Sequence, residues 1–83
     1  MNIYLITQKK CTGYDTYDSA IVIAKSGEEA KKIHPDGKGD ITKERFFWYE
    51  NWPQFPKDVT AVKVGESTYY KKPQVLLASF NPG

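Results

Sequence analysis

The chain has 83 residues, of which 12 are basic, 10 acidic and 14% aromatic, for a net charge of +2. This is enough chain for one domain and leaves no room for a second hydrophobic core. The aromatic content excludes a disordered polymer, and the charge balance, with eight residues of each sign within residues 1–50, argues against a dedicated nucleic-acid binder built on a basic stripe.

The opening MNIYLITQKK is apolar for a few residues and then basic, the reverse of a signal peptide. It is also far short of the about 20 apolar residues that span a bilayer. Within it NIYLIT alternates Ile3 and Leu5 against Tyr4 and Ile6, which predicts a strand. The polar QKKCTGYDTYD that follows reads as a turn region around Gly13. It holds the single cysteine, Cys11, expected to be a chemically quiet loop thiol. One cysteine permits no intrachain disulfide, so the chain fits a reducing, cytoplasmic setting.

SAIVIAK predicts a second strand, apolar on both faces and therefore central and covered. SGEEAKKIHP carries a capping box in which Ser26 accepts from the Glu29 amide and Glu29 reaches back to the Ser26 amide. Glu28 and Glu29 stand at the positive end of the helix dipole, and Lys31, Lys32 and His34 toward its negative end. The helix is expected to end near His34, before Pro35, with Ala30 and Ile33 docked on the sheet.

PDGKGD is a turn cluster. RFFWYENWPQF, residues 45–55, places six aromatics in eleven positions with neither strand nor helix period. A single sheet face under an eight-residue helix of about 12 Å cannot hide all of them. Phe46 or Phe47, Trp52 and Phe55 are assigned to packing; Trp48 and Tyr49 are assigned outward, because Trp and Tyr favour sites that are apolar on one edge and polar on the other. KDVTAVKVGES and QVLLASF complete the chain as third and fourth strands, joined by the polar YYKKP. The sum is an α+β domain, residues 1–83, in the order β-β-α-β-β: an antiparallel sheet with one short helix packed on one face.

No constellation for catalysis, a cofactor or a metal emerges. Asp15 and Asp18 lack the further oxygen donors of a cation site and suit turn hydrogen bonds instead. DGKGDIT has Lys38 where a calcium loop needs an oxygen, and Phe47 where it needs glutamate. His34 is the one histidine, and the nucleophile it would need, Cys11, lies on a different element.

The stretches GYDTYDSAIVIAKSGEEAKKIHP and VKVGES…VLLASFNPG, with YLITQ before them, resemble a family of small phage-, prophage- and bacterial-type proteins. The likeness covers residues 3–36 and 59–83 and is weaker in the aromatic middle and in YYKKP. It brings no catalytic residue. It implies a small accessory protein in a bacterial cytoplasm that acts by binding a host or phage protein, for which inhibition of a host defence system is an analogy.

The chain is therefore expected to be a binding protein and not an enzyme, without a cofactor and without a membrane. One partner class is a protein, met through the aromatic segment, a strand edge or the Tyr14 and Tyr17 region. The other is a nucleotide or single-stranded nucleic acid, its bases stacked on Trp48 or Tyr49 and its phosphates on Lys71 and Lys72.

Overall fold

The computed structural model describes residues 1–13, 15–37, 39–42 and 51–81. The assignments made above for Tyr14, Phe46, Phe47, Trp48 and Tyr49 lie outside the described residues. Four strands form one antiparallel sheet: β1 (Asn2–Gln8), β2 (Thr16–Ala24), β3 (Val59–Glu66) and β4 (Gln74–Asn81), in the spatial order β3-β1-β2-β4. The hairpin β1–β2 is the centre, β3 adds beside β1, and β4 adds beside β2.

Antiparallel pairing on both sides of β1 makes β2 and β3 parallel to each other. The chain that joins them, residues 25–58, must therefore return along the length of the sheet, as parallel strands require. Its described parts build the core on one face. Tyr4 and Ile6 of β1, Ala20, Val22 and Ala24 of β2, and Val59 of β3 pack with Ala30, Ile41 and Trp52 of the crossing segment. Ile6, Val22 and Ile41 are wholly buried, and each such side chain stabilises the fold by about 1.5–3 kcal/mol relative to exposure.

The strands fall close to their predicted places, with one correction. β2 begins at Thr16, so Tyr17 and Asp18 belong to the strand and not to the preceding turn. The end of β4 draws them in: Thr16 pairs with Asn81 and Tyr17 with Phe80, leaving Asp18 as a bulge before Ser19 meets Ser79.

The helix is shorter than the sequence predicts. α1 is a single turn, Gly27–Ala30, not a helix running to His34. Its second turn tightens, with Lys32 N–H donating to Glu29 and Ile33 N–H to Ala30, and a local bridge then captures the backbone. Ile41 N–H donates to the Lys32 carbonyl at 2.7 Å, His34 N–H donates to the Gly39 carbonyl at 2.8 Å, and Ile33 bridges Asp40. Those carbonyls and amides are thereby withdrawn from any longer helix. Ser26 does cap α1, accepting from Glu29 N–H at 3.2 Å, but the Glu29 carboxylate accepts from Lys25 N–H and not from Ser26.

Of the described aromatics assigned to packing, Trp52 is 2% exposed and Phe55 is 51% exposed. The assignment of Phe55 to the core is thus corrected. The chain turns outward at the single 3-10 turn Pro56–Asp58 to enter β3, and the Phe55 ring rests between the Lys10 and Lys57 ammonium groups, 5.9 and 5.7 Å from its centre.

Two stability outcomes follow from these contacts. Ser26→Ala should lower stability by about 0.5–1 kcal/mol, read as a shift in denaturation midpoint, because one amide of the turn loses its acceptor. Trp52→Ala should cost about 3–5 kcal/mol. Trp52→Phe should cost far less, because the buried Trp52 Nε1 finds no acceptor among the described residues and removing an unsatisfied donor recovers part of the lost packing.

Candidate functional site

The sheet has two faces with different fates. On the covered face, His34 is 2% exposed. Its Nδ1 faces the Asp36 N–H at 3.1 Å and the Asp36 carboxylate at 3.2 Å, and its Nε2 pairs with Asn51 Oδ1 at 3.1 Å. Tyr17 stands edge-on to the imidazole at 5.8 Å and leans on Phe80 at 4.7 Å. Burial, and then the nearby Asp36 carboxylate, hold the Tyr17 hydroxyl above its usual pKa. The sequence places His34 at a helix end; the structure places it four residues past α1's last residue, as a packed and hydrogen-bonded core group.

The opposite face can be read row by row from the register. Thr60, Thr7, Ser19 and Ser79 form a hydroxyl row across the four strands. Val62, Leu5, Ile21 and Leu77 form an aliphatic row beside it. Gly65, Ile3, Ile23 and Gln74 complete a third, in which Ile23 is wholly buried. None of these twelve positions carries a charge.

A solvated sheet face ordinarily alternates to polar side chains, yet here Leu77 is 69% and Val62 is 52% exposed. The bulge residue Val64, which has no partner opposite it between Lys63 and Gly65, is likewise exposed. A depression of about 250 Å³ lies on the β2–β4 side, lined by Ser19, Ile21, Leu77 and Ser79 among others.

A larger cleft of about 550 Å³ opens beside α1, with Glu28, Glu29, Lys32 and Asp40 in its walls. Glu29 already serves the Lys25 amide, and Asp40 accepts from the Thr42 amide and hydroxyl. Glu29 and Asp40 therefore hold backbone turns in place, and Glu28 pairs with Lys31 Nζ at 3.8 Å.

Of the residues singled out as partner-binding in the sequence, Tyr17 is half-buried against His34 and Phe80. Lys71 and Lys72 are exposed on the connection before β4, where Lys71 Nζ donates to the Thr68 carbonyl at 3.1 Å. Cys11 is half-buried in its loop, its backbone bracketed by the Gln8 side-chain amide. The sequence reading missed Leu77 and Val62 as surface residues, and also Tyr69, which is 81% exposed and edge-on to Tyr70. The alternation in VTAVKV was the available signal for Val62.

No family model, curated protein or solved structure matches the chain. Among the described residues no helix is long and apolar enough to cross a membrane.

The Tyr17 environment has a measurable consequence. A folded pKa raised above 10 means that the unfolded chain releases this proton first. The stabilisation is complete below the unfolded pKa of about 10 and is lost as the pH rises through the folded value. Tyr17→Phe should therefore flatten the alkaline decline in stability relative to the wild type, measured as denaturation midpoints across that range.

Proposed function

We propose that this chain is a small phage-type accessory protein of the bacterial cytoplasm, and that it works by binding another polypeptide through the uncharged outer face of its sheet. It performs no chemistry of its own in this reading. The observation that carries the proposal is the uncharged row Val62, Leu5, Ile21 and Leu77 beside the hydroxyl row, from which Leu77 and Val62 project into solvent, while Ile23 beyond it is already covered by the chain. Apolar area of this kind gains stability when a partner removes it from water, at about 25 cal/mol per Å². Both ring nitrogens of His34 are engaged, which supports a structural role for that histidine. Trp48, Tyr49 and Tyr14 stand as proposed partner contacts on the sequence alone.

The test is capture of a stoichiometric partner from bacterial lysate by the tagged protein. Leu77→Glu and Val62→Glu should each weaken capture about 5- to 30-fold, with the thermal melt nearly unchanged because both side chains are already exposed. Lys71→Ala with Lys72→Ala should leave capture intact. Equal capture by all variants would remove the outer face from consideration.

A second reading rests on Tyr69, whose exposed ring precedes the exposed Lys71 and Lys72 in the same connection. An aromatic next to paired lysines suits a stacked base and its phosphates. Titration with a single-stranded oligonucleotide should show steeply salt-dependent binding that is lost in Tyr69→Ala if this reading is right.

A further inference from the structure

We infer that this chain pairs with a second copy of itself along the open edge of β4, joining the two sheets into one about a two-fold axis. The inference uses the rim of the sheet and not its outer face, so it stands apart from the reading above.

β3 and β4 are the outermost of the described strands, and their open edges differ. β3 carries Lys63 and Glu66, paired at 3.0 Å, and Val64 bulges out of its register. Charges and bulges of this kind discourage a further strand from adding. β4 has no charge and no proline from Gln74 to Asn81, and six of its eight residues are exposed. Its own bulge is Leu76, which has no residue opposite it between Val75 and Leu77. The regular edge therefore runs from Leu77 to Asn81.

Strand alternation decides what that edge offers. The Asn81 carbonyl turns inward, accepting from Asp15 N–H at 2.6 Å, so Ala78 and Phe80 turn their backbone N–H and C=O groups outward. The groups that match such a row are those of another extended backbone.

The composition of the edge names the occupant. VLLASF, Val75–Phe80, is apolar and has no charge, proline or glycine, which is the composition that pairs with copies of itself. The guarded β3 edge is a poor match for it, whereas a contact between two β4 strands covers both open edges at once. A two-fold axis through the sheet makes that contact antiparallel and self-complementary.

Centring the axis on Ser79, the midpoint of the regular edge, brings every residue of Leu77–Asn81 into the pairing. Ser79 then lies opposite Ser79 of the other copy, Ala78 opposite Phe80, and Leu77 opposite Asn81. The two Ala78–Phe80 pairs make the backbone hydrogen bonds. Both residues lie on the core face, beside Ala20 and Tyr17. Each Phe80 ring, 42% exposed in the single chain, thus packs over the small Ala78 of its neighbour. The Lys71 and Lys72 pairs stand at opposite ends of the seam and do not repel one another across it.

Sedimentation of the purified full chain from about 1 µM to 1 mM should show a mass rising from the 9.5 kDa monomer toward a dimer. Ser79 is exposed, so Ser79→Lys should keep the wild-type circular dichroism. It should raise the dissociation constant by about tenfold or more, because the two introduced ammonium groups meet at the axis. Val62→Glu, on the outer face, should leave the dimer intact while weakening lysate capture, so the two readings fail separately. The axis gives a sharper expectation. Opposed residues that share no hydrogen bond sit about 4.5 Å apart at Cα, within reach of a disulfide. Ser79→Cys in a Cys11→Ser background should cross-link to a covalent dimer on oxidation with diamide, and Val62→Cys in the same background should not.

A wild type that stays monomeric throughout overturns the inference, and gives the edge to a foreign strand if lysate capture is lost in Ser79→Lys. A dimer lost in Val62→Glu and kept in Ser79→Lys overturns edge pairing in favour of the outer face. A dimer whose Ser79→Cys variant does not cross-link overturns the two-fold register centred on Ser79.

Discussion

The spatial order of the strands is the constraint on which the rest of the molecule depends. With β1 and β2 in the middle and β3 beside β1, the chain leaving β2 must return the full length of the sheet before it can add β3. One crossing segment can cover one face. The single-turn helix, the buried histidine, Ile41 and Trp52 all belong to that crossing, and the outer face, where Leu77 and Val62 are exposed but Ile23 is wholly buried, is its complement.

The crossing segment is held by backbone bridges more than by regular secondary structure. The pairing of Ile33 with Asp40 and the clasp of His34 between Asn51 and Asp36 fix two remote parts of it to one another. A buried polar ring contributes to stability only when its nitrogens are satisfied, and here they are. That arrangement ties residues 33–41 to residue 51, and through Asn51 to β2, whose Tyr17 amide donates to the Asn51 carbonyl at 3.0 Å.

Much of this was legible in the sequence. All four strands could be read from alternation and β-branched content, and the Ser26 cap from its spacing to Glu29. The helix length was not legible. Lys31 and Lys32 are good helix formers locally, and it is the capture of the Lys32 carbonyl by Ile41, nine residues on, that ends the helix early. Phe55 looked like core because it is large and apolar, but its exposure follows from the direction in which Pro56–Asp58 turns the chain. The candidate face was half legible. The alternation of Val62 and Val64 against Ala61 and Lys63 was visible, yet it could not say which set points inward. Pairing settles that, since Ala61 lies opposite the buried Ile6 and Val62 opposite Leu5. A strand with apolar residues on both sides offers no such distinction on its own.

The order β3-β1-β2-β4 also sets a sequence of events during synthesis. β1 and β2 leave the ribosome together and can pair at once, and β3 closes the β1 side when it arrives. β4 is the last of the four strands to be made, so until it emerges β2 presents an unpaired edge flanked by Ile21 and Val22. The apolar stretch of that edge beyond Asp18 is a template for pairing with another nascent chain. The interval between the emergence of β3 and the docking of β4 is therefore the period in which this protein is most exposed to misassembly, and slower translation through residues 67–81 would lengthen it.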